Sequence, residues 1–159
     1  DTILMWAALP PALRERTHPV AAADYWGNGR LRRHVALDVL NAVLIDRTGG
    51  QREGGNPLLP LFETLTAGGS LILFPEGTRG AERIPGPFKS GLFHLAREFP
   101  TVELVPVYLD NLRQALPKGS LLPVPISCAV RFGAPLPRVA DEDKTTFLTR
   151  ARDAVIALS

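Results

Sequence analysis

The spacing of apolar and polar residues along the chain predicts helices that alternate with strands. Apolar residues recurring every three or four positions are typical of a half-buried helix, and short apolar runs are typical of buried strands. The predicted helices cover residues 2–12, 29–40, 57–67, 88–99 and 141–158, and the predicted strands cover residues 18–26, 41–46, 70–75, 102–109 and 126–132. This alternation favours an α/β fold, layered, with a largely parallel or mixed β-sheet flanked by helices.

Two of the predicted helices carry the clearest patterns. One face of the helix at 88–99 is marked by apolar residues spaced by four, three and four positions: Phe88, Leu92, Leu95 and Phe99. The closing segment at 141–158 begins with acidic residues and continues with apolar residues at helical spacing, as in a capped amphipathic helix. In the strand predicted at 102–109, Pro106 lacks a backbone donor and indicates an edge or a bulge.

The composition limits the classes of function. At 159 residues the chain fits one domain, and we expect a single domain over residues 1–159. A net charge of +2 gives no indication of a nucleic-acid-binding surface. With one cysteine and three scattered histidines, we expect neither a disulfide framework nor a metal cluster. No apolar run reaches the roughly 18 residues that a membrane-spanning helix needs.

Polar residues follow two predicted strands at their carboxyl ends, where parallel α/β sheets bind ligands. Arg47 follows one strand, and four residues follow another: Glu76, Gly77, Thr78 and Arg79. Guanidinium groups from Arg47 and Arg79 could clamp a phosphate, each charged hydrogen bond contributing roughly 1.5–3 kcal/mol. Gly77 permits close backbone approach, and the Thr78 hydroxyl can donate to a ligand oxygen.

Glu76 differs from these residues because a carboxylate repels phosphate. We interpret it as a residue that orients an arginine or accepts a hydrogen bond from a substrate hydroxyl. Spacing alone leaves an alternative open, in which Glu76 and Arg79 form a structural ion pair around a tight turn.

Four short segments occur in order along the chain: AVLIDR at 42–47, FPEGTR at 74–79, FKSG at 88–91 and VPVYL at 105–109. In order and spacing they resemble motif blocks of the glycerolipid acyltransferases, the family of 1-acylglycerol-3-phosphate O-acyltransferases. The segment FPEGTR is the most specific of the four. The resemblance extends from Asp1 to about Phe132 and implies one acyltransferase domain over residues 1–159.

The family's first block is His-x-x-x-x-Asp, in which the histidine is a general base toward a lipid hydroxyl and the aspartate orients it. This sequence contains no such spacing. The distance from Asp1 to Arg47 is similar to that between the family's first two blocks. The resemblance therefore implies that Asp1 is the catalytic aspartate and that the domain is truncated just after the histidine. Because general-base help is worth ~10²–10⁴-fold in rate, we expect this fragment alone to be nearly inactive.

The resemblance implies a transfer reaction in phospholipid biosynthesis. A fatty acyl group would move from an acyl thioester, either acyl-CoA or acyl-carrier protein, to the hydroxyl of a lysophosphatidate-like glycerolipid. The substrate-binding residues implied are Arg47, Glu76, Gly77, Thr78 and Arg79, and no metal or other cofactor is implied. The alternative is a non-catalytic module of the same fold that binds a phosphate or a lipid headgroup.

Aromatic and basic residues cluster in one segment: Tyr25, Trp26, Arg30, Arg32 and Arg33. Rings at headgroup depth and arginines near anionic lipid are typical of a membrane-surface site, although an ordinary solvated helix start has the same composition. A lipid acyltransferase must reach the bilayer. We therefore expect it at the cytoplasmic face of the membrane, peripheral through this segment or anchored by sequence outside this chain.

Overall fold

The computed structural model describes residues 2–26, 29–46, 56–77, 84–110 and 128–159. The chain forms two compact units, Thr2–Phe74 and Pro75–Ser159, and each is described by itself. The single domain expected over residues 1–159 stays a prediction. The elements in chain order are α1 (Thr2–Ala8), α2 (Pro11–Arg14), β1 (Thr17–Ala22), α3 (Ala23–Trp26), α4 (Arg30–His34), a π-helix (Val35–Val39), β2 (Val43–Ile45), α5 (Leu59–Thr66), β3 (Ser70–Ile72), α6 (Gly91–Glu98), β4 (Val107–Asp110), β5 (Ala129–Phe132) and α7 (Lys144–Ile156).

A parallel sheet with the order β2–β1–β3 organises the unit Thr2–Phe74. The first half of β1, Thr17–Pro19, pairs with β3, and the second half, Val20–Ala22, pairs with β2. Pro19 is fully buried and lies where the pairing changes partner. Because the ladder with β3 ends at Pro19 and the ladder with β2 begins at Val20, the central strand tolerates a residue without an N–H here. The parallel sheet and its helices confirm the predicted α/β fold.

The largest apolar residues of the segment at 30–39 do not all lie on its buried face. Leu31 is 76% exposed and Val39 is 54% exposed. The buried residues are Ala36 and Leu40, one position further along, and they belong to a core cluster that also contains Ala42. The helical periodicity was therefore correct, but a small alanine on the buried face gave little apolar signal. From Val35 the helix continues as a π-helix, not as the predicted α-helix.

Two predictions near the amino terminus are wrong in part. The strand predicted at 18–26 ends at Ala22, and Ala23–Trp26 forms the short helix α3. An apolar run does not show where a strand passes into a helix when both are partly buried. The helix predicted at 2–12 is two helices, because Pro11 begins α2 at a position where its missing N–H costs nothing.

The unit Pro75–Ser159 packs α7 against α6 and β4. The rings of Phe93 and Phe147 meet edge to face with centroids 5.7 Å apart. Leu95 of α6 and Tyr108 of β4 are buried in the same unit. β4 and β5 pair in antiparallel fashion. β4 begins directly after Pro106, so the strand predicted at 102–109 starts only where backbone donors are again continuous.

Asp143 caps α7, as the acidic start of the segment predicted. Its Oδ1 accepts hydrogen bonds from the backbone N–H groups of Thr145 and Thr146, at 2.9 and 3.1 Å. The Thr146 hydroxyl and these N–H groups lower the pKa of the Asp143 carboxyl. The cap satisfies donors that the first turn of a helix otherwise leaves unpaired.

Glu142 and Arg150 form a two-point ion pair that ties the start of α7 to its middle. Arg150 Nε donates to Glu142 Oε1 at 2.8 Å, and Nη2 donates to Oε2 at 2.7 Å. These hydrogen bonds lower the pKa of the Glu142 carboxyl and raise that of Arg150. The same guanidinium donates from Nη1 to the Pro137 carbonyl at 2.9 Å, so the pair also fixes the preceding loop.

The lowered pKa of Glu142 predicts an acid-sensitive contribution to stability. Because the unfolded state binds a proton more readily than the folded state, this contribution is complete above the ordinary glutamate pKa of about 4.3. It is lost as the pH falls through the lower folded-state pKa. We expect Glu142→Gln to lower the free energy of unfolding near pH 7, and the deficit to shrink below about pH 4. Denaturant unfolding at a series of pH values measures it, with the exposed Glu98→Gln on α6 as control; a deficit that does not change with pH would contradict the assignment.

Candidate functional site

Six residues were predicted to form the site, and the structure describes two of them. Glu76 and Gly77 lie in a turn at Pro75–Gly77. The others lie outside the described residues, and their roles stay predictions: Asp1, Arg47, Thr78 and Arg79. The site can therefore be built upward from the turn and its neighbours in the unit Pro75–Ser159.

Two hydrogen bonds close this turn against the segment that follows it. The Lys89 N–H donates to the Pro75 carbonyl at 2.8 Å. The Gly86 N–H donates to Glu76 Oε2 at 2.7 Å, a short contact typical of a charge-assisted bond. The half-buried Glu76 carboxylate therefore has a described structural partner, and its other oxygen can accept from a ligand hydroxyl.

Gly77 has the backbone conformation that the turn requires. Its φ of +71° lies in the left-handed region, where a residue with a Cβ costs roughly 1–2 kcal/mol. A Cβ placed on Gly77 would lie 3.5 Å from Lys89 Cγ and 3.8 Å from Lys89 Cε. The Lys89 stem therefore runs alongside the Gly77 backbone, on the side where any other residue would carry its Cβ.

Lys89 is a candidate binding residue that sequence reasoning did not select. It is exposed, and none of the ion pairs between described residues includes it. Its ammonium group adds a cation beside a turn that already contains the motif glycine. The signal was present in the segment FKSG, which was interpreted only as a family resemblance. The contact with Gly77 is what brings the two motifs together.

The described residues give no indication of a metal centre. No group of histidine, cysteine, aspartate and glutamate side chains among them is arranged to hold a metal ion. What the turn offers is hydrogen-bonding and charge: the Glu76 carboxylate and the Lys89 ammonium, on either side of Gly77. Such groups can bind and orient a polar, anionic ligand.

Comparison with protein families matches residues 1–110 to the family described as Acyltransferase. This match covers more than half of the chain and includes the turn at Pro75–Gly77. The chain belongs to the acyltransferase family. The resemblance to glycerolipid acyltransferases, drawn from the four motif segments, is thereby confirmed.

Curated relatives of this acyltransferase-family chain share the same description. A protein of Limnanthes alba named 1-acyl-sn-glycerol-3-phosphate acyltransferase is 37% identical over 76 residues, which is 48% of this chain and 26% of the relative. The Brassica napus protein "1-acyl-sn-glycerol-3-phosphate acyltransferase BAT2, chloroplastic" is 40% identical over 59 residues, 37% of this chain and 17% of the relative. A Cocos nucifera protein, also named 1-acyl-sn-glycerol-3-phosphate acyltransferase, is 37% identical over 67 residues, which is 42% of this chain and 21% of the relative. The matched parts span about a quarter or less of these relatives. No solved structure matches the chain significantly.

Proposed function

We propose that the protein transfers a fatty acyl group from an acyl thioester to the hydroxyl of a lysophosphatidate-like glycerolipid, in phospholipid biosynthesis. The observation that carries the proposal is the turn at Pro75–Gly77, which places the motif residues Glu76 and Gly77 beside Lys89 in a chain of the acyltransferase family. The names of the curated relatives support the same substrate class.

The acceptor's phosphate is the group that a cationic site at this turn would bind. In the proposal, Arg47 and Arg79 hold the phosphate, and Lys89 adds a third positive charge. Thr78 and the Gly77 backbone donate further hydrogen bonds to phosphate oxygens. Glu76 holds the turn through Gly86 and accepts from a hydroxyl of the glycerol backbone with its other oxygen.

The reaction needs a base for the acceptor hydroxyl. In the proposal Asp1 orients the histidine of the family's first block. The histidine takes the hydroxyl proton, and the oxygen attacks the thioester carbonyl carbon to form a tetrahedral oxyanion. The carbon–sulfur bond then breaks, and the thiolate leaves with the proton from the imidazolium. The acyl donor is acyl-CoA or acyl-carrier protein.

The lipid acceptor implies contact with a membrane surface. In the described parts of the chain, no helix combines the length and the apolar character needed to cross a bilayer. Arg30, Leu31 and Arg33 are exposed on α4, whereas Trp26 packs against the core cluster of Ala36 and its neighbours. We propose that α4 meets anionic headgroups at the cytoplasmic face, with Trp26 serving the fold.

The test is an assay of the full-length protein with an acyl thioester and two matched acceptors. Lysophosphatidate and monoacylglycerol can carry the same acyl chain and the same acceptor hydroxyl, and the position that is phosphorylated in the first is a free hydroxyl in the second. Two charged hydrogen bonds of roughly 1.5 kcal/mol each predict a kcat/KM about 10²-fold higher for lysophosphatidate. Equal kcat/KM values for the two acceptors would contradict an anion site. Saturable binding of lysophosphatidate without any transfer would instead support the non-catalytic binding module.

A further inference from the structure

One peptide group in the unit Pro75–Ser159 is held on both edges by charged side chains. Arg152, on α7, donates from Nε to the Pro85 carbonyl oxygen at 2.8 Å. The N–H of that same peptide group belongs to Gly86, and it donates to Glu76 Oε2 at 2.7 Å. Because a peptide group is a rigid plane, Arg152 and Glu76 are connected through it without any direct contact.

The charges match the dipole of this peptide. The carbonyl oxygen is the partially negative end and faces a guanidinium, while the N–H is the partially positive end and faces a carboxylate. Both hydrogen bonds are charge-assisted, and each polarises the peptide in the direction that strengthens the other. Loss of the Arg152 donor would therefore weaken the bond between Gly86 and Glu76 as well.

The packing leaves little freedom at this point. A Cβ on Gly86 would lie only 3.3 Å from Glu76 Oε2, so the carboxylate sits directly against the peptide. The Arg152 side chain is 32% exposed, which places its stem partly within the unit. Arg152 also lies outside residues 1–110, so the family match gives it no role.

We propose that Arg152 is a positioning residue for the acceptor site. Through the Pro85–Gly86 peptide it fixes the Glu76 carboxylate, and through Glu76 it fixes the turn at Pro75–Gly77. The acceptor-binding part of this inference rests on the proposed function. Arg152 itself touches no substrate, and its effect reaches the site only through this peptide.

Two substitutions at position 152 separate the hydrogen bond from the bulk of the side chain. Arg152→Met keeps a side chain of similar length without a donor. Arg152→Gln places an amide N–H donor the same number of bonds from the backbone as the arginine Nε–H. Arg150→Met is the matched control, because Arg150 lies on the same helix and donates to Glu142 and Pro137 instead.

In the full-length enzyme we expect Arg152→Met to raise the KM for lysophosphatidate by about 3- to 10-fold, as for the loss of one partly exposed charged hydrogen bond. The KM for the acyl thioester stays unchanged, Arg152→Gln restores most of the acceptor KM, and Arg150→Met leaves it unaltered. A purely structural role would instead change both KM values together, follow the loss of thermal stability and resist rescue by glutamine.

Amide hydrogen exchange at Gly86 tests the connection without using activity. We expect the Gly86 N–H to exchange about 3- to 10-fold faster in Arg152→Met and at the wild-type rate in Arg152→Gln. An unchanged rate in Arg152→Met would overturn the inference. Faster exchange with an unaltered acceptor KM in an active enzyme would overturn the role in acceptor binding. Faster exchange in a protein whose wild type transfers no acyl group would contradict the proposed function while supporting the connection itself.

Discussion

Arg79→Ala is expected to lower kcat/KM for lysophosphatidate by about 10²- to 10⁴-fold. A guanidinium that binds phosphate in bidentate fashion donates two charged hydrogen bonds, each worth roughly 1.5–3 kcal/mol. Arg79→Lys keeps the charge but loses the planar fork, so we expect an intermediate loss. Initial rates over a range of lysophosphatidate concentrations give the constants.

Selectivity for the phosphate distinguishes this role from damage to the fold. With monoacylglycerol as the acceptor, Arg79→Ala should change the residual kcat/KM little, because this acceptor has no phosphate for Arg79 to bind. Arg97→Ala, at an exposed position in the last turn of α6, is the control and should leave both acceptors unaffected. An equal loss of kcat/KM with both acceptors would show that Arg79 does not act by binding the phosphate. An unaltered kcat/KM for lysophosphatidate would remove Arg79 from the site.

Leu61→Ala is expected to lower the free energy of unfolding by about 2–5 kcal/mol. Leu61 is completely buried, at 0% exposure, on the face of α5 that packs against β2 and β3. Truncation removes buried apolar surface and leaves a cavity that the surrounding elements fill only in part. Urea denaturation of the two proteins measures the difference through the shift in midpoint.

Leu59→Ala provides the matched comparison for this prediction. Leu59 lies two residues earlier in the same helix and is 50% exposed, so its truncation should cost well under half as much. Because both changes replace leucine by alanine in α5, helix propensity cancels between them. Equal losses of unfolding free energy in the two variants would show that the surrounding residues fill the space left by the Leu61 side chain, or that α5 contributes little to stability.

Local signals predicted the elements whose causes lie within a few residues. The acidic start of the segment at 141–158 predicted a cap, and Asp143 accepts from the N–H groups of Thr145 and Thr146. Pro106 was expected to mark an edge or a bulge in the strand at 102–109, and the strand begins only after it, at Val107. In both cases the deciding hydrogen bonds, or their absence, depend on neighbours in the sequence.

The predictions that failed depended on which face or partner the rest of the fold supplies. Residues 23–26 are apolar enough for a strand, yet they form α3 because the chain leaves the sheet at Ala22. In the segment at 30–39 the large apolar residues Leu31 and Val39 are exposed, and the small residue Ala36 is the one that meets the core. Size and hydrophobicity alone do not show which side of a helix is covered.

In the candidate site, too, the sequence predicted local features but not the contacts between distant residues. Glu76 and Gly77 were selected from the motif, and the positive φ of Gly77 agrees with the choice of glycine. Nothing in the spacing indicated that Glu76 would accept from Gly86, ten residues further along. The contact from Arg152 to Pro85 spans 67 residues and depends on where α7 packs, which no local pattern specifies.

The middle position of β1 in its sheet has a consequence for biosynthesis. Both partners of this strand, β2 and β3, come later in the chain, and the second ladder closes only at Ile72. A nascent polypeptide emerges from the ribosome with its amino terminus first. Thr17–Ala22 therefore leaves the tunnel with both edges unpaired, and its first half stays open to other chains until translation has passed β3. We therefore expect the yield of folded protein to fall when this strand is left exposed to other chains during translation.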